Sequence, residues 1–257
     1  MASLGVRAVM FGGEGEPFMH PELSGLVGHA SEEGLDVAIT TNGTLFNEPS
    51  EILPYCTWIK FSVNAGSRKT YAEIHRTPKE SFETVLENID RAASFRATYG
   101  LSCAIGVQML LLPENASEVT ELSRLSQSAG ADYLVVKQYS QHGSSKTTKY
   151  NGFTCGVDID DFVIYRKPKP HREYDKCLAL PFWAYIDSGG GVCGCSAYLG
   201  EDEFSYGNIN LNSFKDIWDG RKEPMVDVGK CRPNCRMHEC NNYLWGVTHP
   251  PEHYNFI

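Results

Sequence analysis

Basic charge is scarce in this chain: 23 Lys and Arg stand against 32 Asp and Glu, a formal net charge of −9 at pH 7. Nucleic-acid and anionic-membrane binders neutralise phosphate with a cationic surplus, so both classes are excluded, and the substrate is not expected to be a polyanion. Long apolar runs are missing too. The densest, Val107 to Leu112, has strand length and falls far short of the roughly 18 residues of a membrane span. The N-terminal MASLGVRAVMFGGEGEP has no charged segment followed by an apolar one, so no secretory signal is read and a cytoplasmic location is expected. The sequons at Asn42 and Asn115 are then turn and cap residues rather than glycan sites. No internal repeat is visible. Cysteine is absent before Cys56, and the nine in all are too few for a disulfide scaffold of 257 residues. They are also unevenly placed. Cys56, Cys103 and Cys155 are isolated, whereas six fall between Cys177 and Cys240, and in a reducing compartment clustered thiols point to metal or redox chemistry.

The first 140 residues alternate short apolar runs with amphipathic helical patterns, the pattern of βα units on a parallel sheet. Five strands are expected: Ala8 to Phe11, Val37 to Thr40, Trp58 to Val63, Cys103 to Leu111 and Tyr133 to Lys137. Pro21 as first helical residue opens one helix, with Leu23, Leu26, Val27 and Ala30 inward and Gly34 closing it. Thr77-Pro78-Lys79-Glu80 reads as a capping box before Phe82, Val85, Leu86, Ile89, Ala92 and Ala93. Asn115 with Glu118 caps a third, whose Val119, Leu122, Leu125 and Ala129 face inward before Gly130. The predicted fold is α/β, an open or partial (β/α) barrel over residues 1–140. Polar and then Pro-rich sequence at 141–176 is a connector, and 177–257 form a small cysteine-rich domain. In that domain PFWAYID, the turn Ser188 to Gly191 and VCGC make a β-hairpin, and SFKDIWDG a short helix.

Ligands of parallel α/β folds bind at the carboxyl ends of the strands. The first strand runs into GGEGEP (Gly12 to Pro17), where glycines let backbone approach a ligand and an acid can accept from an ammonium group. TTNG (Thr40 to Gly43) follows the second strand, FSVNAG (Phe61 to Gly66) ends the third, and QMLLLPEN (Gln108 to Asn115) ends the fourth. These loops resemble the GGEP motif and the later cofactor-contacting strands of the radical S-adenosylmethionine (radical SAM) superfamily, and the resemblance extends over essentially the whole chain. It implies a partial six-unit TIM-like barrel. It also implies that Gly13, Glu14, Gly15 and Glu16 meet the amino end of S-adenosylmethionine, the motif's two extra residues leaving Glu14 and Glu16 as alternatives for the contacting carboxylate. Thr41 and Asn42 belong to the same cofactor-binding set, with Ser62 and Asn64 for ribose or carboxylate and Gln108 near the adenosine. Lys137, Tyr139 and His142, after the last predicted strand, are substrate candidates.

The family's C-x3-C-x2-C loop, which holds a 4Fe-4S cluster for one-electron cleavage of S-adenosylmethionine, has no counterpart in this sequence. MASLG followed by VRAVMF reads as a helix end, a Gly5 cap and a strand. The two observations together predict loss of the first βα unit and an inactive chain in this form. The tail, Cys177, Gly190-x4-Cys195, Cys231-x3-Cys235 and Cys240 with YGNINLNSFKDIW between, resembles the auxiliary-cluster domain known as SPASM or, when shortened, twitch. Cys177, Cys195, Cys231 and Cys235 are the expected ligands of one auxiliary 4Fe-4S cluster, with Cys240 in reserve; six cysteines cannot fill two four-cysteine sites, which favours the shortened form. A zinc ribbon is the alternative metal site. Cys56 and Cys103 are read as inert buried thiols and Cys155 as a loop thiol; His20 and His75 are read as helix-edge residues. The resemblance further implies a small-molecule substrate, such as a sugar or cyclitol, and an electron donor such as flavodoxin or ferredoxin. A non-catalytic iron-sulfur, zinc-binding or electron-transfer module with a degenerate barrel is the competing expectation.

Overall fold

The computed structural model describes residues 1–13, 15–139, 147–166, 172–224, 226–231 and 235–253. The chain forms two compact units, one of Ala2–Tyr139 with Gly152–Lys167, the other of Met1, Ser140–Asn151 and Pro168–Ile257.

In the first unit, β1 (Ala8–Phe11), β2 (Asp36–Thr41), β3 (Trp58–Ser62), β4 (Ala104–Leu111), β5 (Tyr133–Gln138) and β6 (Val163–Arg166) pair in sequence order, every pair parallel. Parallel neighbours need crossovers, and right-handed crossovers that all step the same way place their helices on one face. That is barrel winding; a doubly wound sheet would reverse its strand order. The crossovers carry α1 (Leu23–Glu32) before β2, α2 (Arg68–His75) and α3 (Ser81–Tyr99) before β4, and α4 (Val119–Ser128) before β5. Alternate strand residues Val37, Ile39, Ile59, Phe61, Ile105, Val107, Met109, Leu134 and Val136 pack with Val27, Val85, Ile89 and Leu122 of the helices into one core. The expected α/β partial barrel is what forms.

Several local expectations change. The stretch expected as a connector supplies β6, a strand too short and too mixed, with Val163 buried and Ile164 and Arg166 exposed, to stand out in the sequence. Pro21 lies before α1, and Leu26 is exposed while Leu23 and Val27 carry its packing. Thr77 and Glu80 form no capping box: α3 starts at Ser81 without a side-chain cap bond, and the Thr77 hydroxyl is buried without a partner.

Asn115 and Glu118 do not cap α4. Fully buried, Asn115 accepts from the Leu112 amide (2.8 Å) and donates to the carbonyls of Asn64 (2.7 Å) and Leu110 (2.8 Å). Glu118 accepts from the Gly66 amide (2.8 Å), Ser67 Oγ (2.7 Å) and Thr70 Oγ1 (2.7 Å). A polar side chain aimed at backbone outside its own turn wins over local capping because the segments after β3 and β4 present buried backbone groups that need partners. At the opposite end of the strands Arg96 pairs with Asp132, whose carboxylate also accepts from the Ile105 amide (2.7 Å), tying α3 to the starts of β4 and β5.

The second unit contains an antiparallel sheet of β7 (Tyr185–Ile186), β8 (Gly191–Cys193) and β9 (Ser205–Asn208), with α5 (Phe214–Gly220) and α6 (His238–Thr248). The hairpin and the Ser213-capped α5 match expectation; β9 is an addition. Gly190 sits at φ +81°, and a Cβ there would lie 2.5 Å from Asn210 Nδ2, so the hairpin turn favours glycine. Among the described residues no helix is long and apolar enough to cross a membrane.

Replacing Asn115 by Ala should leave the Leu112 amide and two carbonyls buried without partners and lower unfolding stability by about 2–4 kcal/mol; urea denaturation of the Asn115→Ala chain checks this.

Candidate functional site

The strand ends gather most of the residues expected from the sequence. After β1, Gly13 holds φ +126°, and a Cβ on Gly13 or Gly15 would meet nothing within 4 Å, so the loop presents open backbone. Glu14 lies outside the described residues. Glu16 closes the loop against β2: one carboxylate oxygen accepts from Thr41 Oγ1 (2.6 Å) and the Phe18 amide (3.2 Å), the other from the Asn42 amide (2.6 Å). Thr41 Oγ1 also accepts from the Gly43 amide (2.9 Å), and Asn42 Oδ1 accepts from the amide and hydroxyl of Thr44. Thr41 and Asn42 are therefore engaged in shaping the β1 loop, the Asn42 sequon serving as a turn as expected.

On β3 and β4, Ser62 and Gln108 are register partners. Both sit on the alternate positions that the core leaves out, on the face without helices. Gln108 Oε1 is buried with no hydrogen-bond partner. An orphaned acceptor of that kind costs free energy unless a ligand donor meets it. Asn64, at φ +59°, is bound up instead: its Oδ1 accepts from the Leu110 amide (2.7 Å), its carbonyl takes the Asn115 bond, and its Nδ2 lies 3.4 Å from His75 Nε2. His75, the last residue of α2, lies 2.9 Å from the Val63 carbonyl and stacks on Tyr71, whose hydroxyl is pushed up to about 12 by burial and then by the Glu16 charge. Lys137 lies on the helix-free face of β5 and Tyr139 just past that strand; His142 is outside the described residues. Sequence reasoning missed the Asn115–Asn64–His75 buckle, which no spacing rule announces.

Cys56 and Cys103 are buried in the core of this unit. Burial pushes their thiols up to about 12 and about 11, as expected of inert side chains.

In the second unit the charges of Cys235 and Cys177 act on Cys195, which burial first of all pushes up to about 11. Cys235 is likewise raised by burial and then by Cys231 and Cys177. These are the four thiols expected as ligands. Cys193 also acts on Cys195 but directs its Sγ at the Cys195 carbonyl (3.3 Å), and Cys240 is raised by burial and, among the thiols, by Cys177 only. Among the described residues no three His, Cys, Asp or Glu side chains form a closed coordination group. Mutual influence without closure suits thiols that still carry protons, because a metal displaces those protons and draws its ligands in. Two neighbours already address ligand sulfurs: Tyr198 Oη lies 3.7 Å from Cys231 Sγ, and Asn241 Nδ2 donates to Cys177 Sγ (3.6 Å) while Asn241 Oδ1 accepts from the Leu178 and Ala179 amides. Four soft thiolates with such donors fit an iron-sulfur cluster.

A barrel-type parallel sheet with an open glycine-acid loop, and a second unit whose thiols act on one another, fit the iron-sulfur class of cofactor-dependent barrel proteins. Models of known families agree. Residues 1–125 match the radical SAM superfamily, and residues 177–242 match SPASM, an iron-sulfur cluster-binding domain. The chain thus carries a radical SAM domain match and a SPASM domain match, and those domains imply S-adenosylmethionine and 4Fe-4S clusters as cofactors. It is 26% identical to a tungsten-containing aldehyde ferredoxin oxidoreductase cofactor-modifying protein of Pyrococcus furiosus, over 83% of this chain and 67% of that one. It is 24% identical to the Fe-coproporphyrin III synthase of Methanosarcina barkeri, over 95% and 70%. Among solved structures it resembles Streptococcus suis SuiB bound to S-adenosylmethionine, with a TM-score of 0.57 and 15% identity over 82% of this chain and 53% of SuiB. The chain thus spans about half of SuiB and about two thirds of the curated relatives.

Burial holds His75 below its usual 6.5 against the raising effect of the Val63 carbonyl. A lowered histidine leaves folding stability intact above pH 6.5 and erodes it as pH falls below that value, where the unfolded chain takes up the proton first. Urea midpoints measured from about pH 7.5 to 5 should show that loss, and His75→Gln should flatten it.

Proposed function

We propose that this chain builds a radical SAM site on the helix-free face of its sheet, acts on a small polar substrate such as a sugar or cyclitol, and holds an auxiliary iron-sulfur cluster in its second unit. The orphaned Gln108 carboxamide beside Ser62 carries this reading. Gly13 and Gly15 offer backbone, with Glu14 or Glu16, to the amino end of the cofactor; Ser62 and Gln108 take its ribose and adenosine side. Thr41 and Asn42 hold Glu16 in place, and Asn64, its side chain committed to β4, positions the mouth. Lys137 and Tyr139 are the substrate candidates among the described residues, and His142, the third, lies outside them. When bound, S-adenosylmethionine and an iron-sulfur cluster supply one-electron radical chemistry, with electrons from a donor such as flavodoxin or ferredoxin. Cys177, Cys195, Cys231 and Cys235 hold the auxiliary cluster, and Tyr198 and Asn241 support its sulfurs. The names of the two curated relatives, one for a modified cofactor and one for a porphyrin, support a small substrate, whereas SuiB is also known bound to its precursor peptide SuiA.

The placement of the thiols favours one second reading. In the first unit Cys56 and Cys103 are buried in the core and Cys155 packs against it, whereas six cysteines fall in the second unit, as in an electron-transfer module.

Anaerobic reconstitution followed by iron, sulfide and zinc analysis tests the cluster. About four irons and four sulfides per chain are expected. Ser in place of Cys177, Cys195, Cys231 or Cys235 should lower that content, and Cys193→Ser should not; zinc in place of iron would sink the assignment. Titration with S-adenosylmethionine separates the two readings: binding weakened in Gln108→Ala supports the radical SAM site, and no binding leaves the electron-transfer module.

A further inference from the structure

The four thiols expected as cluster ligands each have a hydrogen-bond partner, and the partners are of two kinds. Cys195 is met by the backbone of Ala197 and Cys235 by that of Met237. Both partners lie just beyond the cysteine they serve, so the local course of the chain supplies them. Cys231 and Cys177 are met instead by side chains of distant segments. Tyr198 Oη is 3.7 Å from Cys231 Sγ, and Asn241 Nδ2 donates to Cys177 Sγ over 3.6 Å, across 33 and 64 residues of chain.

Each of these side chains is fixed by contacts of its own. Tyr198 ends the single helical turn Ser196–Tyr198 that directly follows Cys195, and its amide donates to the Cys195 carbonyl (3.1 Å). Its ring stacks on the buried Phe204, with centroids 4.0 Å apart and planes 7° from parallel. Asn241, 1% exposed on α6, accepts at Oδ1 from the Leu178 (2.6 Å) and Ala179 (3.1 Å) amides, and its Nδ2 also donates to the Met237 carbonyl (3.0 Å). With the oxygen committed to two amides, the N–H side of the carboxamide faces the sulfur. Tyr198 therefore joins the Cys195 arm to the Cys231 arm, and Asn241 joins α6 to the Cys177 arm.

Between a hydroxyl and a thiol either group can donate, but a metal-bound cysteine has given up its proton. On a ligated Cys231 the Tyr198 hydroxyl is then the donor. Hydrogen bonds to ligand sulfur are among the factors that set the potential of an iron-sulfur cluster. A donor draws charge from the sulfur and so favours the reduced state, which carries one more electron.

We infer that Tyr198 and Asn241 are positioning residues that raise the reduction potential of the auxiliary cluster through hydrogen bonds to the sulfurs of Cys231 and Cys177. The inference rests on the proposed function, which assigns a cluster to these thiols, and it makes that cluster a tuned electron carrier instead of a structural staple.

Potentiometric titration of the anaerobically reconstituted full chain, read by electron paramagnetic resonance of the reduced cluster, tests it. Tyr198→Phe removes the hydroxyl and keeps the ring that stacks on Phe204. It should retain about four irons per chain and shift the reduction equilibrium about tenfold toward the oxidised cluster, about 59 mV lower for a one-electron couple. Asn241→Asp keeps an acceptor for the Leu178 and Ala179 amides but replaces the donor, and should shift the potential in the same direction. Tyr243→Phe, exposed on α6, should match wild type. A potential at or above the wild-type value in Tyr198→Phe or Asn241→Asp, or loss of iron from Tyr198→Phe, would overturn the inference. Iron and zinc analysis of the wild-type chain separates the two levels: zinc or no iron defeats the auxiliary cluster itself, whereas an intact cluster whose potential ignores Tyr198→Phe defeats the tuning alone.

Discussion

Every strand of the larger sheet is parallel to the last and lies next to it, and the rest of the molecule follows from that arrangement. Each step requires a crossover of the same hand, so α1, α3 and α4 all reach the same face and bury the Val, Ile, Leu and Phe side chains of alternate strand positions. The opposite face receives no helix and can carry Lys60, Ser62, Gln108 and Lys137 without burying them in the core. One geometrical rule both builds the core and leaves a polar surface at the strand ends for a ligand.

That surface is shaped by side chains that tie the strand-end loops to one another. Glu16 draws the β1 loop onto β2, Asn115 joins the ends of β3 and β4, and Glu118 fastens the turn into α2. Each bridges segments more than 20 residues apart through a charged or amide group that makes three hydrogen bonds. Such bonds are modest singly, but leaving one unmade in a buried place costs more than making it gains. The same economy appears in the second unit, where Asn241 of α6 holds the Leu178 and Ala179 amides and touches the Cys177 sulfur.

Much of the architecture was legible in the sequence, because hydrophobic period and turn chemistry are local signals. Five strands, the stripes of α3 and α4, the hairpin at Ser188 to Gly191 and α5 all appear within a residue or two of where their patterns place them. The failures share one cause. β6 has four residues and only two that pack inward, and the Thr77–Glu80 and Asn115–Glu118 pairs look like caps only while their surroundings are ignored.

By itself the sequence determined the class of fold and the family its loops resemble, because hydrophobic period and glycine placement are properties of neighbouring residues. Only the tertiary structure decided which polar groups are spent and which remain open: Asn64 and Thr41 are committed to backbone and loop, whereas Gln108 Oε1 is buried without a partner. The physical reason is that hydrogen-bond satisfaction and charge compensation depend on groups far apart in the chain, which only strand register brings together.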